Sequence, residues 1–188
     1  MINPNVGDRL VHGYADTESA RSSDVVEVFL NPGEYFVGGP GFQVRTLLGS
    51  CVSIVLWHPI FRFGAMSHYL LSSRSGRVMT SGGFASGQKL DGKYADEVLA
   101  LMAGGLRDAN IPIAECQAKI FGGGNMFPTR MARDQLDIGL KNGETGKRLL
   151  AGYGIPVVSE NLFGTGHREV IFKPRNGDVW VRQVKLDA

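Results

Sequence analysis

The sequence predicts a mixed α/β (α+β) sandwich, richer in strand than in helix, with a few helices flanking the sheets. Three observations predict it. Short β-branched and aromatic runs recur along the chain between turn residues. A sustained 3.6-residue apolar period occurs over residues 91–110, with a second, weaker helical pattern over 141–153. The 26 glycines among 188 residues are about twice ordinary usage, and they cluster rather than repeat. Such clusters suit a chain with many tight turns and close backbone approaches. A chain of this length holds a single core, so one domain is expected over residues 25–188. Residues 1–24 are polar and aperiodic, and read as a flexible leader with partial order near Leu10 and Val11.

The elements follow in order. Residues 25–30 (V-V-E-V-F-L) form a strand that ends at the turn signal Asn31-Pro32-Gly33. Residues 34–37 add a short strand before a Gly/Pro break. Residues 44–48 form a strand, Gly49-Ser50 interrupt it, and residues 51–57 (C-V-S-I-V-L-W) resume as an apolar strand. Residues 62–71 pair back on it as a hairpin through His58-Pro59-Ile60-Phe61. Residues 72–89 are a Ser/Gly-rich functional or mobile loop. In the first helix Ala95, Val98, Leu99, Met102 and Leu106 share one face, and Pro112 prevents its continuation. Residues 117–121 form a strand that runs into Gly122-Gly123-Gly124. The second helix turns Leu149 and Leu150 inward and stops at Gly152/Gly154. Strands at 157–158, 169–173 and 178–184 complete the chain, the last two joined by a Pro-Arg-Asn-Gly turn.

Composition excludes several function classes. With 20 Lys+Arg against 18 Asp+Glu, the net charge of +2 is too balanced for gripping nucleic acid or anionic lipid. No apolar run approaches the roughly 18 residues of a membrane span, and the N-terminus lacks a signal core, so direct membrane insertion is not expected. A cytoplasmic protein is the simplest reading. Two cysteines are too few for a disulfide framework. The four histidines are scattered and match no metal-binding spacing. Neither a metal nor a cofactor is expected.

Cys51 is the first candidate for chemistry. An unbonded cysteine beside V-S-I-V-L-W is ordinarily a small core hydrophobe. Here the Gly49-Ser50 break places it at the very start of its strand, where it can reach a cleft. If the hairpin turns near Ile60, the residue opposite Cys51 falls near position 69, and His68 lies within a residue or two of register. A neighbouring imidazolium lowers a thiol pKa and maintains the nucleophilic thiolate. A third group must hold the ring, and Thr46 offers a hydroxyl, although spacing alone does not separate it from Ser50, Ser53 or Ser67. The segment Gly143-Glu144-Thr145-Gly146-Lys147-Arg148 resembles a phosphate loop but lacks its first glycine and its Ser/Thr, so it is rejected. The Gly122-Gly123-Gly124 segment could present N–H donors to an oxyanion, with a close-packed turn the preferred reading. Cys116 has no nearby histidine in sequence and reads as structural.

The segments T-L-L-G-S-C-V (46–52) and G-A-M-S-H (64–68) resemble the CheD family of bacterial chemotaxis proteins. The likeness continues through G-K-Y-A-D (92–96), A-K-I-F-G-G-G-N-M-F (118–127) and D-I-G (137–139), and covers roughly residues 25–185. It implies a chemoreceptor glutamine deamidase, a protein-glutamine glutaminase that converts glutamines on the cytoplasmic domains of methyl-accepting receptors to glutamate. It further implies Cys51 as nucleophile, His68 as general base and acid, and Thr46 as the orienting hydroxyl. The implied fold is an α/β sandwich similar to the toxin-type cysteine glutamine deamidases. Some relatives also bind the chemotaxis phosphatase CheC, and a monomer is expected. This chain departs from the family at Gly139-Leu140-Lys141-Asn142, where Gly-x-Arg-Asn is common, and at residues 161–168, where an acidic residue and paired glycines are more usual. Three other readings stand beside it: another cysteine hydrolase such as a protease or transglutaminase, a non-enzymatic adaptor regulating a CheC-type phosphatase, and a plain domain with an inert Cys51.

Overall fold

A computed structural model describes residues 10–13, 25–74, 84, 89–126 and 133–184. Among the described residues ten strands and two α-helices stack as three layers. In chain order they are β1 (Leu10–Gly13), β2 (Val26–Phe29), β3 (Tyr35–Gly38), β4 (Phe42–Leu48), β5 (Val52–His58), β6 (Phe63–Ser67), α1 (Ala95–Asp108), β7 (Gln117–Gly122), α2 (Arg133–Gly152), β8 (Val157–Leu162), β9 (His167–Lys173) and β10 (Asp178–Val184). A six-stranded sheet has the order β1-β3-β6-β5-β7-β8, and a four-stranded sheet the order β10-β9-β4-β2. The mixed α/β sandwich with flanking helices is therefore the architecture.

Burial explains why these residues form these layers. In β5, Val52, Ile54 and Leu56 pack with Val98, Leu99, Met102 and Leu106 of α1 and Leu150 of α2. The intervening Val55 packs instead with Phe36, Met66, Val44, Val170 and Phe172 between the two sheets. A strand covered on both faces reads as the continuous apolar run seen in the sequence. The four-stranded sheet keeps one face open, so β4 and β9 alternate between buried and more exposed positions.

The expected hairpin is present, with His58 opposite Phe63 and Val55 opposite Met66. Its second strand ends at Ser67, earlier than expected, and pairing continues only as single bridges at Val52–Tyr69 and Leu71–Tyr94. Within the stretch expected as leader, Leu10–Gly13 is a strand paired in parallel with β3. The rest of residues 1–24 lies outside the described residues, as does most of the expected 72–89 loop. The larger correction is α2, which begins at Arg133 rather than near 141. Gly139, with Gly143 and Gly146 in the second half, lowers helix propensity and weakens the period. Tertiary packing uses them: a Cβ at Gly139 would lie 2.7 Å from the Gly123 carbonyl, and one at Gly143 would lie 2.5 Å from Phe163.

Candidate active site

The chain leaves β4 at Leu48, turns through Gly49-Ser50, and enters β5 one residue after Cys51. Neighbouring backbone fixes this elbow from behind. The Gly123 N–H donates to the Cys51 carbonyl at 2.8 Å, and the Gly124 N–H donates to the Gly49 carbonyl at 2.8 Å. Gly122 sits at φ +121°, and a Cβ there would lie 2.2 Å from the Cys51 carbonyl, so only glycine fits. The glycine segment is thus a close-packed turn. Its Gly123 and Gly124 N–H groups are spent on the elbow and do not serve as oxyanion donors.

Arg168, which the sequence reading passed over, holds that turn in place. Fully buried, it donates to the carbonyls of Gly122 (2.9 Å), Asn161 (2.5 Å) and Phe163. Burial pulls its guanidinium below the ordinary value. The only trace in the sequence is an arginine that follows a glycine-rich turn.

His68 is 3% exposed and is pinned through its backbone: its N–H donates to Glu34 and its carbonyl accepts from Gly33. The Thr46 hydroxyl donates its one proton to the Leu30 carbonyl at 2.7 Å, so its oxygen accepts from His68 Nδ1–H at 2.8 Å. This network assigns the tautomer: the proton is on Nδ1, and Nε2 carries the lone pair. Nε2 is buried and has no hydrogen-bond partner among the described residues. Thr46 thereby separates from the three serines. Ser67 Oγ is engaged with the Ile54 backbone, and Ser53 Oγ is buried without a partner among the described residues. It is the Thr46 hydroxyl that bonds the ring, beside a longer 3.4 Å contact of Nδ1 with the Leu30 carbonyl.

Register brings Cys51 to the same face. Val52 and Tyr69 exchange both backbone hydrogen bonds, at 3.0 and 2.9 Å, and both side chains face the helices. Cys51 and His68 therefore point to the opposite face, between the two sheets, as diagonal cross-strand neighbours. The partly buried Cys51 packs there against the inter-sheet core. The register is one residue from that expected, with Leu70 rather than residue 69 opposite Cys51.

Burial works against an ion pair at rest. It pushes the Cys51 thiol up, while the hydrogen bond that Cys51's own backbone N–H offers the sulfur acts in the other direction. It pushes the His68 imidazole down, against opposing contributions from the Leu30 carbonyl and the Glu34 charge. Both shifts favour the neutral forms of the two side chains, against the imidazolium-stabilised thiolate that the sequence suggested.

The other candidates fall away from this centre. Cys116 is buried, with its thiol pushed up to about 11 by burial and by the Glu115 charge. His58 is buried at the far end of the hairpin, between the Phe61 N–H and Glu115. A broad cleft of about 1300 Å³ lies at that same end, lined by Ile60, Phe61, Arg107 and Tyr153, and it has no cysteine in its lining. Among the described residues no group of three or more His, Cys, Asp or Glu could hold a metal.

The model of the family described as CheD chemotactic sensory transduction matches residues 80–183. A protein of Albidiferax ferrireducens named probable chemoreceptor glutamine deamidase CheD 2 is 52% identical over 165 residues, covering 88% of this chain and 91% of its own. An overlap of that length necessarily spans Thr46, Cys51 and His68. Probable chemoreceptor glutamine deamidase CheD 3 of Dechloromonas aromatica is 41% identical, over 87% of this chain and 91% of its own. Probable chemoreceptor glutamine deamidase CheD 1 of Chromobacterium violaceum is 36% identical, over 83% and 77%.

Proposed function

This chain belongs to the CheD family, and from that premise we propose that it is a chemoreceptor glutamine deamidase with Cys51 as nucleophile, His68 as general base and acid, and Thr46 as the hydroxyl that holds the ring. One observation carries the assignment of roles: the Thr46–His68 hydrogen bond of 2.8 Å leaves Nε2 as the basic nitrogen, on the face that Cys51 shares.

The chemistry follows from that geometry. As Cys51 Sγ attacks the carboxamide carbon of a receptor glutamine, its proton passes to His68 Nε2. The negative charge that develops on the carboxamide oxygen is met by the Cys51 N–H. His68 returns the proton to the amide nitrogen, the C–N bond breaks, and ammonia leaves a thioester on Cys51. Water then attacks the thioester carbon and gives a proton to His68. The C–S bond breaks, glutamate is released, and His68 reprotonates the thiolate. The Nδ1–H donated to Thr46 keeps the ring oriented through both half-reactions.

The pH dependence tests this protonation scheme. Burial makes the imidazolium more costly, so Nε2 stays unprotonated to lower pH than in a free histidine. The acid limb of kcat/KM for ammonia release should therefore lie below pH 6.5, and thiol ionisation should limit the rate only above pH 9.0. Alkylation of Cys51 with a midpoint well below 9.0 would instead mean a thiolate–imidazolium pair at rest. In the same assay Thr46→Ala should retain activity, lowered about tenfold, less than the roughly 10²–10⁴ that general acid–base catalysis itself contributes. An unchanged rate would move the orienting role to another group.

The substrate is the cytoplasmic domain of methyl-accepting chemoreceptors, and the protein acts in the cytoplasm as a monomer. Among the described residues no helix is long and apolar enough to cross a membrane. A CheC-type phosphatase is the second partner. Its binding would compete with receptor for access to Cys51, and deamidation unaffected by saturating phosphatase would remove it from the account.

A further inference from the structure

Three successive carbonyls of the elbow are each held. Gly49 and Cys51 accept N–H groups from the glycine turn, whereas Ser50, between them, is held by a side chain. Asn142, midway along α2 and 2% exposed, donates Nδ2 to the Ser50 carbonyl at 3.3 Å and to the Leu70 carbonyl at 2.6 Å. Its own backbone carbonyl accepts the Tyr69 hydroxyl at 2.9 Å. Gly146, one turn later, makes room for that contact, since a Cβ there would lie 2.5 Å from the hydroxyl oxygen. One residue of α2 is thus bonded to the segment that leads through Cys51 into β5 and to the segment that follows His68.

The Ser50 carbonyl and the Cys51 N–H belong to one planar trans peptide and point in opposite directions. A carbonyl tied to the α2 side sends the N–H to the other side of the sheet, where Cys51 Sγ lies. That N–H already approaches the sulfur, and it is the donor that a developing oxyanion would meet. We propose that Asn142 is a positioning residue for deamidation: by fixing the Ser50–Cys51 peptide plane and the Leu70 carbonyl opposite it, it aims the Cys51 N–H at the reacting carboxamide oxygen. The proposal rests on Cys51 being the nucleophile of the deamidase.

Two readouts test it on the full-length protein. Asn142→Ala should lower kcat for receptor deamidation about tenfold or more, part of the 10²–10³ typical when an oxyanion donor is lost outright. KM should stay within about twofold, because Asn142 lies behind the elbow and does not touch substrate. The second readout needs no receptor: iodoacetamide alkylation followed by mass spectrometry at the Cys51 peptide. Its midpoint should move to higher pH in Asn142→Ala, because the sulfur loses a well-aimed N–H donor. Tyr69→Phe, which frees the Asn142 carbonyl, should move it the same way by less. A folded Asn142→Ala with wild-type kcat and a wild-type midpoint overturns the proposal. If the wild type itself releases no ammonia from receptor, the deamidase reading fails while the alkylation midpoints still decide the role of Asn142. Should Asn142→Ala not fold, NMR of the wild type decides: slowly exchanging Asn142 side-chain amide protons are expected, and exchange at the free rate contradicts the bridge.

Discussion

Cys51→Ala is expected to release ammonia from a receptor cytoplasmic domain at least about 10³-fold more slowly than the wild type, because no other group forms the thioester. The fold should survive. Cys51 is only partly buried, and losing one sulfur from its end of the inter-sheet core should change unfolding free energy by no more than about 1 kcal/mol. His68→Ala should be nearly as inactive, since both proton transfers pass through Nε2. The double variant should be little worse than either single one, because the pair acts as a unit. Additive losses in the double variant would mean that the two residues serve separate steps.

Arg168→Met should give the largest loss of stability. Two opposing effects compete at this site. Removing a buried guanidinium relieves its desolvation, and replacing buried charges by apolar groups is sometimes neutral. The carbonyls of Gly122, Asn161 and Phe163, however, remain in the backbone; that of Gly122 keeps the Phe163 N–H at 2.9 Å, while each buried acceptor left without a donor costs about 1–3 kcal/mol. The orphaned carbonyls should win, with a net loss of roughly 3 kcal/mol or more in urea unfolding. Arg168→Lys should recover part of it, because an ammonium reaches fewer of the three carbonyls than a guanidinium fork. Activity should fall with stability, since Gly122 and its neighbours support the elbow. An Arg168→Met protein as stable as the wild type would show that water or rearranged backbone satisfies those groups.

Local patterns made much of this molecule legible. The apolar run of β5 and the 3.6-residue face of α1 follow directly from what each element buries. The register that carries His68 to the face of Cys51 was legible because a short hairpin fixes register to within a residue. The first half of α2 was not, because residues 133–142 hold few apolar side chains and Gly139 is a poor helix former that packs against the distant Gly123 backbone. Thr46 could not be separated from nearby serines, because the hydroxyl that meets the ring depends on how two sheets stack. Asn142 and Arg168 were invisible for a related reason. Asn142 bonds carbonyls 92 and 72 residues away, and Arg168 reaches one 46 residues away. Backbone carbonyls carry no side-chain signature, so nothing in sequence marks them as partners.

Mass spectrometry of a purified receptor cytoplasmic domain, incubated with this protein and in parallel with Cys51→Ala, tests the central claim most directly. Glutamine-to-glutamate conversion at defined receptor positions by the wild type alone is the predicted result. Conversion by both proteins, or by neither while Cys51 of the wild type still reacts with a thiol probe, would contradict Cys51-dependent receptor deamidation.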